Sequence, residues 1–225
     1  PDDPEVEVQS AIRRFDLPHV FAPDALAAAE AIPEAVSTKE LTGRVDLRSL
    51  PTVTIDGETA RDFDDAVFAE KKGKGWRLVV AIADVSHYVP EGSALDQEAL
   101  SRSNSYYFPL SVEPMFPEAL SNGLCSLRPN VPRLAMIVDT HFDQNGEPGK
   151  TSLYDGVIQS AARLTYTQVQ AAFDDAVKAD DFTGHLKAGD LVATVFGGHA
   201  GLEEAGSDGV QRSEFLAVAE QQSAT

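Results

Sequence analysis

Four aspartates fall within ten positions of the stretch TIDGETARDFDDAV: Asp56, Asp62, Asp64 and Asp65. Carboxylates about 4 Å apart repel by about 1 kcal/mol in bulk water, and several-fold more where water is partly excluded. Something has to offset that repulsion. A hard divalent ion would do so: Mg²⁺ takes carboxylate oxygen, keeps several waters and shares them with substrate phosphates. Two such ions can activate water and stabilise the leaving oxygen in phosphodiester hydrolysis. A solvated acidic turn, with Asp56 or Asp62 accepting from local amides, would also relieve the repulsion. Apolar strand formers abut the cluster on both sides, which weighs against a floppy loop. Both readings stay open on these residues alone.

The elements around the cluster follow from pattern. Residues 52–55, Thr-Val-Thr-Ile, are strand formers ending at Asp56. DAVFAEKK, GKG and WRLVVAIAD read as strand, turn and strand, and the apolar run LVVAIA suits a strand buried on both faces. If DFDDAVF is extended, Asp62 and Asp64 share one face and Phe63 and Asp65 the other, unless a bulge turns Asp65 round. Upstream, PEVEVQSAIRR and PDALAAAEAI are expected helices, the second opened by Pro23. Ser93 is the expected N-cap of a helix over SALDQEALSRS. SYYFPLSVEPMFP carries three prolines and reads as an ordered loop. PEALSNGLCSL reads as a short helix, and VPRLAMIVDTHFD with KTSLYDGVIQSAARL as a second hairpin around Asn145-Gly146. TYTQVQAAFDDAV is helical in pattern. The sum is an α+β layout: a mixed, largely antiparallel sheet of hairpins with helices packed on it.

Composition narrows the class. Hydrophobic residues make up 43% of the 225, enough for a real core. No run approaches the ~20 apolar residues of a membrane span, so no membrane association is expected. The opening PDDPEVEVQS has neither the basic nor the apolar segment of a secretory leader. Cys125 is the single cysteine and fits a reducing cytoplasm. A formal charge of −18 argues against a broad electrostatic nucleic-acid surface, while leaving room for metal-bridged phosphates.

GRVDLRSLPTVTIDGETARDFDDAV, GWRLVVAIADVSHYV, SYYFP, PMFPEALSNGLCSL and ARLTYTQV, in that order and register, resemble the RNB-type catalytic domain of the ribonuclease II/ribonuclease R family. The resemblance runs from about residue 4 to about residue 175. It implies a processive 3′→5′ exoribonuclease that uses Mg²⁺, with Mn²⁺ as a substitute, and releases nucleoside 5′-monophosphates from single-stranded RNA with a free 3′ end. Asp56, Asp62, Asp64 and Asp65 fall on the family's four active-site aspartates. By that resemblance Asp56, Asp62 and Asp65 hold metal, and Asp62 and Asp64 are catalytic, with the loss of Asp64 the most damaging. Tyr107 matches the tyrosine that stacks on the 3′-terminal base, a contact that any base can make.

Arg61 and Arg102 complete the substrate-binding candidates. Arg61 could instead be a charge partner of the aspartates, and Arg102 a surface helix residue. Tyr106 and Tyr107 could be core aromatics, and His87, Cys125, Met115 and Leu124 are expected to be structural. Along the chain, residues 1–50 read as a helical lead-in and 51–175 as the aspartate-bearing part of the domain. Residues 176–225 form a tail with no segment like the family's. The arginine-rich segment, the further catalytic Glu and the OB and S1-type RNA-binding domains of the family have no counterpart in this sequence. A catalytically incomplete metal- or RNA-binding fragment is therefore the alternative reading.

Overall fold

The computed structural model describes residues 4–109 and 111–179. The tail assigned to 176–225 lies outside them from residue 180 onward. Five helices and nine strands are described: α1 (Pro4–Arg14), α2 (Pro23–Glu30), β1 (Val45–Asp46), β2 (Val53–Asp56), β3 (Asp65–Lys72), β4 (Gly75–Ala83), α3 (Val85–Tyr88), α4 (Ala94–Arg102), β5 (Tyr106–Tyr107), β6 (Val112–Glu113), β7 (Pro132–Phe142), β8 (Pro148–Gln159), β9 (Ala162–Thr165) and α5 (Tyr166–Ala179). A single wide helical turn spans Ala119–Leu124 and buries Leu120 and Leu124.

The described residues group into two compact units. One takes its residues from Pro1–Ala35 and Asp84–Ser126, the other from Val36–Ala83 and Leu127–Thr225. Packing therefore divides the chain differently from the linear division at residue 50, because the first 35 residues fold with a segment far downstream.

The second unit is one seven-stranded sheet in the order β1-β8-β7-β4-β3-β2-β9. The β1–β8 and β2–β9 pairs are parallel and the rest antiparallel, so the α+β expectation holds. Lys72 pairs with Gly75 across the Gly73-Lys74 tip, where Gly73 takes a φ of 64°. A Cβ on Gly75 would lie 2.0 Å from the Phe142 carbonyl oxygen, so that position has room only for glycine. In the other hairpin the Asp143 side chain accepts from the Asn145 and Glu147 amides and holds the turn.

One cross-strand row shows how the sheet is covered. Val53, Val67, Val80, Val138 and Leu153 stand side by side on five strands. Val169 of α5 packs on Val53, Ile55 and Val67, burying that end. The other end opens: Leu153 is 74% exposed, as are Ile82 (41%) and its partner Met136 (49%). The expectation that LVVAIA is buried on both faces holds for one face only, that of Val79, Ala81 and Ala83; on the other, Leu78 and Val80 are half-buried and Ile82 is exposed. On the opposite face Arg77 clamps the sheet. It donates to Asp139 at 2.7 Å and to Glu70 at 3.1 Å, while the Tyr154 hydroxyl donates to Asp139 at 3.0 Å.

In the first unit α2 packs on α4. Ser93 caps α4 as expected, accepting from the Asp96 amide at 3.2 Å. The proline-rich segment is more regular than a loop. Tyr106 and Tyr107 pair with Glu113 and Val112, a two-residue ladder whose strands leave out Pro109 and Pro114, so amide donors are available.

Candidate active site

Asp56 is the last residue of β2, and Asp65 the first of the neighbouring antiparallel β3. Both lie at the same end of the sheet, and the Gly57–Asp64 segment joins them as an irregular loop. The strand begins only at Asp65, so the strict alternation expected for DFDDAVF does not extend back to Asp62. The loop is nevertheless tied down. The Leu127 amide donates to the Phe63 carbonyl and the Ala83 amide to the Asp64 carbonyl, each at 2.8 Å. Phe63 is buried between its two acidic neighbours in sequence and acts as the loop's anchor.

A second set of ties comes from β9. Strand β9 runs parallel to β2 with Thr54 opposite Arg163 and Asp56 opposite Thr165. From there Arg163 Nη2 donates to the carbonyls of Gly57 and, at 2.9 Å, Glu58. Its guanidinium carbon stands 5.6 Å from the Phe63 ring centroid. Thr167 Oγ1 donates to Glu58 Oε1. Helix α5 starts here with a reciprocal cap: the Gln168 amide donates to Thr165 Oγ1 at 3.2 Å and the Thr165 amide to Gln168 Oε1 at 2.9 Å.

The electrostatics are those of crowded like charge. Burial, then the Asp65 and Asp62 carboxylates, push Asp56 up from the ordinary 3.8 to about 6, against a lowering pull from Arg163. Asp64 is also raised, first by the protein wall against it and then by Asp62 and Asp65. Asp64 keeps open surface, so solvent moderates its shift. One oxygen of Asp56, Oδ2, is buried without a hydrogen-bond partner. An orphaned, desolvated carboxylate oxygen facing other carboxylates fits a hard cation, which is the donor chemistry Mg²⁺ selects. Among the described residues no three acidic, imidazole or thiol side chains converge as a ready-made metal centre. The cluster is therefore an open half-site rather than a closed cage.

A stability consequence follows for the metal-free chain. A carboxyl whose pKa is raised by folding binds its proton more tightly in the fold. The cost of ionising it is fully present above pH ~6 and vanishes below pH ~4. Asp56→Asn is expected to stabilise the chain by about 1–3 kcal/mol at pH 7.5. The gain should shrink to nothing by pH 4. Denaturant titrations of both proteins in chelator across that range check it; a gain that does not vary with pH would refute the cause given.

The other sequence candidates are placed as follows. Arg61 is exposed on the loop itself. Tyr107 is 67% exposed on β5, so it is not a core aromatic. Arg102 is corrected. It is 2% exposed, pairs with Glu98 at 2.8 Å, donates to the carbonyls of Pro18 and Pro114, and stacks over Phe21 at 3.5 Å. A guanidinium enclosed in this way holds the first unit together and has no face left for substrate. Sequence reasoning missed Arg163 and Thr167. Both lie in the quoted ARLTYTQV, but their partners are more than 100 residues earlier, and no local pattern signals them.

Ribonuclease R of Vibrio cholerae serotype O1 is 53% identical over 167 residues, which cover 74% of this chain and 20% of that protein. The chain thus spans about a fifth of that relative's length. A solved structure of Mycoplasma genitalium RNase R in complex with double-stranded RNA superposes with a TM-score of 0.76 at 28% identity, covering 98% of this chain and 36% of that one. The same enzyme in complex with ribose methylated single-stranded RNA gives the same score and identity, covering 98% and 32%. Residues 44–195, more than half of the sequence and the whole of the aspartate loop with its β9 clasp, match the RNB domain, and the chain belongs to that family.

Proposed function

We propose that this chain carries the aspartate half-site of a metal-dependent 3′→5′ exoribonuclease that acts processively on single-stranded RNA in the cytoplasm. The observation that carries the reading is the buried, unpartnered Asp56 Oδ2 in a cluster whose charges raise one another's pKa values. Asp56, Asp62 and Asp65 would hold Mg²⁺, or Mn²⁺ in its place. When bound, the ion neutralises charge on the scissile phosphate and acidifies water.

The chain's own residues do the rest. Water adds to phosphorus, the P–O3′ bond breaks, the shortened RNA keeps its 3′ hydroxyl, and a nucleoside 5′-monophosphate leaves. Asp64, whose pKa is raised by burial and by Asp62 and Asp65, would exchange a proton with the attacking water, and Asp62 would help to hold the ion. Tyr107 offers an exposed ring for the terminal base, worth about 1–3 kcal/mol and indifferent to its identity. Arg61 supplies positive charge at the loop.

The test uses 5′-labelled linear RNA beside a circular RNA of the same sequence, with Mg²⁺ or Mn²⁺. A ladder shrinking from the 3′ end, with the circle intact, is expected. Cuts in the circle would refute an exonuclease.

A second reading, a metal- or RNA-binding fragment without turnover, is favoured by the open half-site among the described residues. It predicts metal binding with neither RNA cut.

A further inference from the structure

The Gly57–Asp64 loop must hold Asp62 and Asp64 at a fixed distance from Asp56, yet it is irregular and begins with a glycine. A loop of that kind samples many conformations unless its backbone is pinned. Its two ends are served by one side chain. Arg163 Nη2 donates to the Gly57 and Glu58 carbonyls, immediately after Asp56. The same guanidinium lies over the ring of Phe63, which sits between Asp62 and Asp64 in the chain. Arg163 is itself fixed by the parallel β2–β9 ladder, opposite Thr54, two residues before Asp56. Thr167, the second residue of α5, holds the Glu58 side chain and backs up the same contact. We propose that Arg163 is a positioning residue of the active site: clasping the loop's start and its Phe63 anchor, it sets the spacing of the four aspartates and so their affinity for a divalent ion.

This rests on the reading that the aspartates hold metal, and it makes a prediction opposite in sign to plain electrostatics. Removing a cation beside a cation site should, by Coulomb's law alone, strengthen metal binding. Removing a clasp that places the ligands should weaken it, by about 10-fold or more, as losses of ligand-orienting partners do elsewhere.

The experiment is Mn²⁺ binding to the whole chain by calorimetry, with folding checked by circular dichroism. The proteins are the parent, Arg163→Met, Arg163→Lys, Thr167→Val and Arg77→Met. The last unclamps the sheet towards the far end of β3 from Asp65 and controls for general loss of stability. Expected is about 10-fold weaker binding for Arg163→Met, incomplete rescue by Lys (which keeps the charge but cannot bridge two carbonyls and a ring), a smaller loss for Thr167→Val, and parent affinity for Arg77→Met. If Arg163→Met does not fold, Thr167→Val and Arg163→Lys carry the test. Unchanged or tighter binding in the folded Arg163 variants overturns the positioning role, as does full rescue by Lys. A parent chain that binds no Mn²⁺ overturns the metal reading and this inference with it.

Discussion

Asp64→Asn is expected to slow nucleotide release from a 5′-labelled single-stranded RNA by about 100-fold or more, the scale on which a positioned proton-transfer group contributes. Asn matches Asp in shape, and the bond from the Ala83 amide to the residue 64 carbonyl is made by the backbone, so the loop keeps its path. The side chain loses its charge and its ability to take a proton. Folding should not suffer, because the substitution also removes repulsion from Asp62 and Asp65. Single-turnover rates and melting curves measured together separate the two effects. A variant that cleaves at the parent rate removes Asp64 from the chemistry. A variant that is inactive because it has unfolded would contradict the account of the loop.

Arg102→Met is expected to destabilise the first unit by about 3–5 kcal/mol, the usual result of removing one member of a buried, hydrogen-bonded ion pair. Methionine can replace the aliphatic stem but not the bonds to Glu98 and to the Pro18 and Pro114 carbonyls. Those oxygens, drawn from α4, the connector after α1 and the segment after β6, would be left without their shared donor. Adding Glu98→Gln should recover part of the loss, since it removes the stranded charge. The effect should appear by hydrogen exchange in α2, α4 and the β5–β6 ladder, with the seven-stranded sheet unaffected. If Arg102 instead served substrate, the variant would keep its protection and lose RNA affinity.

Several elements are legible locally because the determinants sit within a turn or two. The helix starting after Ser93 is written in its cap, and α5 in the helical pattern of TYTQVQAAFDDAV. The β3–β4 hairpin is written in two strand-forming runs around Gly73. The β3–β4 and β7–β8 pairs follow from short antiparallel connections, and the aspartate cluster is visible as a local excess of like charge.

What residues 54–67 determine by themselves is that four carboxylates are crowded beside a strand, a repulsion that either a cation or a solvated turn would relieve. Which atoms are left unsatisfied, which side chains pin the loop and which arginine is spent elsewhere were decided by tertiary contacts. Arg102 reads as a substrate-binding candidate, or else a surface helix residue, until Pro18, Phe21 and Pro114 close round it. Arg163 reads as an ordinary strand residue until the parallel β2–β9 pairing brings it to Gly57. Ile82 lies in a run apolar enough to be buried twice, yet it stands exposed beside Met136. Local propensity and charge act within a few residues, whereas burial and pairing between distant segments depend on the whole chain's path.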